Sequence, residues 1–486
     1  MKNSSPLRME FRTAVATSLF ILSTILVGCT SLVEKGLLPE LALRQPIDVE
    51  LGQEVILLDK PPLMSSSLID KNGIVHVFVV NKVHEAKQLN HIEIVDDKIT
   101  KREVLGIIET KQSEYIDAVE HPYGTLRVLA GDKQYIRTSP NQDWQEVKGN
   151  RCARFLSVGD ELFCAFVTRG EEISTPKRRD YIVGIIIILP LLSWDDVDVA
   201  KIVLAQETPD RWIVRAVVDP ETLMDASKDF LVGTDSFGNI HFLYYTSKGG
   251  YSFGLTEFGV EKRDFFVPEL RYAKLTFNEL LVYSKDIQNK TSSNDPTPSQ
   301  WITVNGIPLT DTPFIKGIYG RPSPSLRPLN RHFALNKATG ELNGIMFVSR
   351  VILDDGKRRL PFYPGAGSSW VELSLSDGKW SPNFNIVTAT DFPTDHEWPH
   401  LDTTPMIKSN SQGNNHLLLE GLTSKKYILY YLLKENNDWS TPLNIGYTEY
   451  YNMLLSLNDS GDVFAAWVNK EGKFIGRWIK SINKVN

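Results

Sequence analysis

Asp70-Lys71-Asn72-Gly73-Ile74-Val75-His76-Val77-Phe78-Val79-Val80 joins a polar turn to an apolar strand, and its order of residues returns twice more along the 486-residue chain. In Asp235-Ser236-Phe237-Gly238-Asn239-Ile240-His241-Phe242-Leu243-Tyr244-Tyr245, and from Ser409 or Asn410 through Gly413 and His416 to Leu419, the pattern is the same. A small polar or acidic residue is followed after two spacers by glycine, and after two more by histidine and an apolar run. Such a run bounded by a glycine turn predicts a strand entering or leaving a hairpin. Related turns without the histidine stand at His121-Pro122-Tyr123-Gly124, Val158-Gly159-Asp160, Lys337-Ala338-Thr339-Gly340 and Asn458-Asp459-Ser460-Gly461, seven turns in all. Apolar stretches of five to eight residues recur between Gly, Asn, Asp, Ser and Pro clusters, and no amphipathic helix interrupts them.

A second register follows the first. Trp380-Ser381-Pro382-Asn383-Phe384-Asn385-Ile386 is echoed by Trp439-Ser440-Thr441-Pro442-Leu443-Asn444-Ile445, with partners at Trp144, Trp194 and Trp301. A strand pair around a glycine turn, a third strand and a Trp-led outer strand make the four-stranded unit of a β-propeller blade. Blades bury both faces, which explains why Ile74 to Val80 is apolar on consecutive positions. The expected fold is all-β, a propeller of seven or eight blades, with the eighth expected around Leu270 to Tyr283. The last repeat, Asn452 to Ile482, lacks an outer strand of its own, and Asp48 to Leu58 is a strand without a blade. Pairing the two would close the ring and remove its open edges.

The glycine turns, with Asp377-Gly378-Lys379-Trp380 and with Asp459-Ser460-Gly461 followed by Trp467, resemble degenerate Asp-box (BNR) repeats of sialidase-like propellers. That resemblance spans most of the chain and implies fold, because the motif shapes turns within blades and does no chemistry. Sialidases also need an arginine triad introduced by Phe/Tyr-Arg-Ile-Pro. The nearest stretches, Tyr135-Ile136-Arg137-Thr138-Ser139-Pro140 and Tyr319-Gly320-Arg321-Pro322, do not fit it.

The first thirty residues carry a different signal. Lys2, Arg8 and Arg12 precede an apolar run from Ala14 to Val27, and Leu26-Val27-Gly28-Cys29 closes it. The run is shorter than the roughly 20 residues a membrane span needs. It resembles the lipobox of bacterial lipoproteins, which implies cleavage after residue 28 and acylation of Cys29. Thr30 after the cysteine implies export to the outer membrane. The expected organisation is a signal peptide over 1–28, a lipid-anchored linker over 29–45 and the propeller over 46–486. The formal charge is −6, and removing the signal, with its three basic and one acidic residues, makes it −8. Such a balance does not draw the chain to nucleic acid. The expected partners are a bilayer, through acylated Cys29, and a carbohydrate or envelope protein.

Cys152 and Cys164 flank the turn at Gly159, nearly opposite each other on a hairpin. They read equally as a disulfide or as two buried thiols, and this spacing builds no zinc site. His76, His241 and His416 are the catalytic candidates, on the analogy of propeller lyases that move protons with His and Tyr. Their equivalent places in separate blades read more simply as a repeated structural residue. His396-Glu397-Trp398-Pro399-His400 fits His-Glu-x-x-His, but Pro399 opposes the helix that a zinc site of that kind requires. Asp391 to Thr404 is instead expected as an exposed loop, with His396, Trp398, His400 and Asp402 as ligand contacts. Arg321, in a basic Pro-rich stretch with Arg327 and Arg331, is a further one. Tyr181 to Trp194, which contains Ile185 to Leu189 and is broken by Gly184 and Pro190, is too short to span a membrane and is expected as a buried strand with a strand end. No motif calls for a cofactor or a metal. The sequence thus supports a binding or scaffold propeller on a lipid anchor, with a glycan-active enzyme as the alternative.

Overall fold

A computed structural model describes residues 46–108, 116–121, 124–131, 133–147, 152–183, 187–208, 212–218, 230–256, 259–280, 301–309, 329–348, 352–353, 358–359, 369–376, 378–388, 405–422, 427–436, 438–449 and 452–482. The chain divides into Met1–Gln45 and Pro46–Asn486, and the second unit is a β-propeller. Cys29 and the loop and linker holding Arg321, His396, Trp398, His400 and Asp402 lie outside the described residues.

Seven antiparallel blades follow one another. Blade 1 is Met64–Ile69, Val75–Val83, Ala86–Val95 and Lys98–Ile108, and blade 2 is Ile116–His121, Thr125–Ala130, Lys133–Arg137 and Gln145–Val147. Blade 3 is Arg154–Val158, Glu161–Val183, Ile187–Glu207 and Trp212–Val218, and blade 4 is Phe230–Thr234, Ile240–Thr256, Gly259–Leu275 and Ile307–Pro308. Blade 5 is Phe333–Leu335, Leu342–Val348, Ser369–Ser376 and Lys379–Thr388, and blade 6 is Met406–Ser409, Asn415–Leu422, Tyr427–Glu435 and Leu443–Thr448. Blade 7 is Leu454–Leu457, Val463–Val468 and Phe474–Ser481. The first strand of each blade packs on that of the next, and Met64–Ile69 meets Leu454–Leu457 where the ring joins. No helix among the described residues is long and apolar enough to cross a membrane.

The fourth strand of blade 7 comes from the other end of the chain. Val49–Leu51 and Val55–Leu58 pair antiparallel with Phe474–Ser481, with Val49 opposite Ser481 and Val55 opposite Gly476. Arg477 Nε donates to the Gly52 carbonyl at 2.7 Å, and the Ser67 and Ser456 hydroxyls share a 2.5 Å hydrogen bond across the join. The expected closure is present.

Alternation along a strand decides which neighbour each side chain meets. Val75, Val77 and Val79 pack toward blade 7 with Phe464 and Phe474, whereas Phe78 and Val80 pack toward blade 2 with Val128 and Tyr135. The same division recurs around the ring: among the described residues each of the seven seams between blades holds its own apolar cluster. A blade is therefore a sheet whose two faces belong to two different cores.

The turn that defines the repeat is built by its first residue. Asp70 Oδ1 accepts from the backbone N–H groups of Asn72 and Ile74 at 2.9 and 2.8 Å, and Gly73 N–H returns to the Asp70 carbonyl. Asp235 does the same for Phe237 and Asn239, and Asn410 for Gln412 and Asn414. A short side-chain oxygen thus satisfies the donors that the chain reversal frees.

Several expectations need correction. Leu270 to Leu275 is the end of the third strand of blade 4, so among the described residues no eighth blade forms there. Within Tyr181 to Trp194 the described residues are strand with a strand end, as expected: one strand ends at Val183, opposite Ile187 where the next begins, and blade 3 extends these second and third strands far beyond the others. Blade 4 does likewise to Thr256 and Gly259, and the two hairpins pair at Tyr181 and Glu261. Trp194 consequently sits in a third strand, opposite Pro176, and leads no outer strand. Trp301 precedes Ile302–Val304, a strand added parallel to the edge of blade 3. Cys152 and Cys164 are joined by a disulfide, with a Cα separation of 5.6 Å. Cys164 stands opposite Phe155, so the bond runs diagonally to the residue that enters the strand.

Two outcomes test this architecture. Gly73 has φ +79°, and a Cβ added there would meet nothing within 4 Å. Gly73→Ala should therefore cost only the left-handed backbone penalty, about 1–2 kcal/mol by chemical denaturation. Deleting residues 46–58 should expose the Phe474–Ser481 edge, lowering the thermal midpoint and driving self-association in size-exclusion chromatography.

Candidate functional site

The three repeat histidines occupy one position. His76, His241 and His416 each follow the blade's first turn by three residues past its glycine and face the next blade in the ring. Each reaches an aromatic side chain diagonally across on the third strand. His241 Nδ1 meets the Tyr272 hydroxyl at 2.8 Å, His416 Nδ1 meets the Tyr431 hydroxyl at 2.7 Å, and His76 Nδ1 meets His91 Nε2 at 3.0 Å. All three are buried. His241 Nε2 is also held, at 3.0 Å from Asp235 Oδ2, so both its ring nitrogens are committed. Burial pushes His416 down to about 4 and raises the Tyr431 hydroxyl well above the ordinary tyrosine range, with Glu435 adding to the latter. A neutral, enclosed imidazole against a neutral phenol is a packing unit with no access to a substrate proton.

Blade 1 departs from this pattern. His91, where blades 4 and 6 have tyrosine, passes the contact on from Nδ1 to Glu103 Oε1 at 2.8 Å. Blade 2 supplies the other wall: Arg137 Nη1 lies 2.5 Å from Glu93 Oε1, and Trp144 Nε1 donates to Glu103 Oε1 at 2.9 Å. The Arg137 guanidinium also sits over the Trp144 ring, 5.1 Å from its centroid. Burial pushes His91 down to about 3, with Arg137 and His76 adding to the effect while Glu103 opposes it. Burial would raise the Glu103 carboxyl, but the hydrogen bonds from Lys101 and His91 and their charges outweigh it and hold the group below the usual carboxylate range. Asp70 behaves the same way, burial being overcome by His76 and the turn donors.

The seam between blades 5 and 6 uses the same device. Glu372, fully buried, accepts from Lys434 Nζ at 2.7 Å and from Trp439 Nε1 at 3.2 Å. Burial pushes its pKa up against both partners. Trp144 and Trp439, read from the sequence as leaders of outer strands, thus each tie their blade to a glutamate of the preceding one. Arg137, quoted above as a near approach to a sialidase motif, is spent on Glu93.

A separate charged group gathers around the axis, where the first strands meet. Asp117 of blade 2 accepts from the Phe155 N–H at 2.9 Å, and burial raises its pKa while Arg154 and Lys408 pull it down. Lys408, from the first strand of blade 6, is pushed down by burial and by Lys337 and Arg154, with Asp117 opposing. Asp117 and Lys408 are half-buried. Two cations, from blades 3 and 6, therefore converge on one carboxylate, and Lys337 of blade 5 lies near enough to Lys408 to act on it. An anion entering there would meet positive charge in a poorly hydrated setting.

Sequence reasoning singled out the histidines and missed these partners. His91-Ile92-Glu93 did carry a signal, two polar side chains on one face of an otherwise apolar strand, but nothing in the sequence says which blade they meet. Asp117, Arg154 and Lys408 sit on first strands far apart in the sequence, with Lys337 just past another, and leave no local pattern.

The sequence matches no protein-family model and no curated protein. Among solved structures it is similar to the polysaccharide lyase Uly1, with a TM-score of 0.43 and 9% identity over 89% of this chain and 100% of that one. A mannose phosphorylase from Leishmania mexicana gives 0.28 and 9% over 89% of each chain, and the GH43 protein BlXynB from Bacillus licheniformis gives 0.23 and 12% over 86% and 85%. Similarity at this level transfers no residue roles.

The buried titratable groups set opposing slopes. Burial lifts Glu420 to about 7, against Arg331 and the Thr448 hydroxyl. Its folded pKa exceeds the ordinary 4.5, so the protonated form favours the fold and this contribution is lost as pH rises from 4.5 through 7. Glu420→Gln should flatten that slope, worth on the order of 3 kcal/mol, in urea titrations across this range. His332 and His416, both near 4, and His91 contribute the opposite slope, with stability lost as pH falls from 6.5.

Proposed function

We propose that this protein is a lipid-anchored component of a bacterial cell envelope whose propeller serves as a binding or scaffold module for an anionic ligand, an acidic polysaccharide being the best match. The reading rests on one contrast. The histidines that could do proton-transfer chemistry are sealed between blades and bonded to tyrosine or carboxylate, whereas the charged groups on the first strands, Arg154 and Lys408 around Asp117 with Lys337 near Lys408, are suited to hold a carboxylate or sulfate. Holding is what such a group offers: it supplies charge and direction and no base beside a scissile bond. The net charge of the mature chain is negative, so attraction to an acidic chain must come from this local group. The anchor is argued from Leu26-Val27-Gly28-Cys29 alone.

The tests separate the two parts. Mass spectrometry of the mature N-terminus should find diacylated or triacylated Cys29, and Cys29→Ser should leave the precursor uncleaved. On an array of neutral and acidic glycans, binding should favour uronate- or sulfate-bearing chains and weaken with salt. Lys408→Met with Arg154→Gln should reduce it about tenfold or more, the scale of losing charge-assisted contacts. Release of unsaturated or new reducing ends from any of those glycans, abolished by His241→Ala or His416→Ala, would replace this reading with an enzymatic one.

A further inference from the structure

His76, His91 and Glu93 stand apart from every other titratable cluster in the described residues, because they are the one group whose ligating atoms converge on a common point. His76 Nδ1 and His91 Nε2 are 3.0 Å apart, and Glu93 Oε1 lies 3.9 and 4.0 Å from them. A triangle with these sides has its equidistant point about 2.1 Å from each corner, which is the length of a zinc–nitrogen or zinc–oxygen bond. We propose that these three side chains bind a divalent transition-metal ion, zinc before others, which fastens the second and third strands of blade 1 where they meet blade 2.

The surroundings supply a second and independent reason. The outer nitrogens of both rings face carboxylates, His91 Nδ1 on Glu103 Oε1 at 2.8 Å and His76 Nε2 toward Asp70 Oδ2 at 3.4 Å. Glu103 behind His91 fixes that ring's tautomer, placing the proton on Nδ1 and the lone pair on Nε2, toward His76. The His76 proton, when on Nδ1, fills the 3.0 Å contact, and when on Nε2 faces Asp70 and leaves the Nδ1 lone pair turned toward that of His91. A cation selects the second tautomer and takes both inner lone pairs, and Glu93 completes the set.

The donor set also selects the ion. Two imidazoles and one carboxylate suit zinc and its neighbours and do not suit calcium or magnesium, which take oxygen ligands. Arg137 bonds the same Glu93 oxygen, as the partners of ligating carboxylates do, and with Trp144 it forms the lid from blade 2. Both histidines are almost fully enclosed and Glu93 is 15% exposed, so the ion would be held inside the fold and not presented to a substrate. Blades 4 and 6 show what the site requires. They repeat the first histidine but carry Tyr272 and Tyr431 where blade 1 has His91, and no second nitrogen converges there.

The experiment uses the full mature chain, without an affinity tag, freed of metal by chelation. Adding zinc should give about one ion per chain by plasma mass spectrometry and raise the thermal midpoint. Cobalt in its place should give visible d–d bands of a low-symmetry nitrogen and oxygen site. Glu93→Gln and His76→Gln should each weaken zinc binding at least tenfold, and Glu103→Gln, which only orients His91, should weaken it within the 10–100-fold range of such partners. His416→Gln should leave binding unchanged. Absence of stoichiometric zinc and of the cobalt spectrum in the wild-type chain would overturn the proposal, and that measurement does not depend on any variant folding. Equal binding by Glu93→Gln and wild type would overturn it as well. Neither result bears on ligand binding at the axis.

Discussion

A sheet set radially in a ring has two apolar faces and no way to bury either alone. In this protein Val75, Val77 and Val79 leave blade 1 on one side and Phe78 and Val80 on the other, and each set needs a different neighbour. Every blade is thus completed only by two others, and the chain becomes stable as a closed cycle. The pairing of Val49–Leu51 and Val55–Leu58 with Phe474–Ser481 follows from that requirement. An open ring would leave one sheet lacking its outer strand and two faces without partners.

The same constraint explains where polar groups are found. A seam between blades is dry, so any charge in it must be answered from the opposite sheet. Glu372 is answered by Lys434 and Trp439, and Glu93 and Glu103 by Arg137 and Trp144. These contacts fix the rotation of one blade against the next, since an apolar seam alone would tolerate sliding. In blades 4 and 6 the histidine meets a tyrosine, and Asp235 also holds His241. Blade 1, with a histidine pair backed by carboxylates, has more ligating capacity than its own hydrogen bonds consume.

Function in such a fold collects at the axis, because only there do side chains from many blades come within reach of one another. Asp117, Arg154, Lys337 and Lys408 come from four blades. Burial pushes Asp117 up and Lys408 down, and the charge of each opposes the other's shift, an influence across blades that has no counterpart in any single repeat.

The sequence by itself determined the repeat, the all-β class and the means of closure. The reason is local: an Asx oxygen, a glycine with positive φ and an apolar run specify a hairpin within a dozen residues. The unpaired strand at one end likewise matches the missing strand at the other. Blade number was less legible, because the long hairpins of blades 3 and 4 stretch the spacing and imitate an additional repeat. The tertiary structure alone decided what the histidines do. His76, His241 and His416 are indistinguishable in their own motifs, and they differ through His91, Tyr272 and Tyr431, which stand fifteen or thirty-one residues away on another strand. Register between strands and packing between blades set those meetings, and neither is written in a local run of residues.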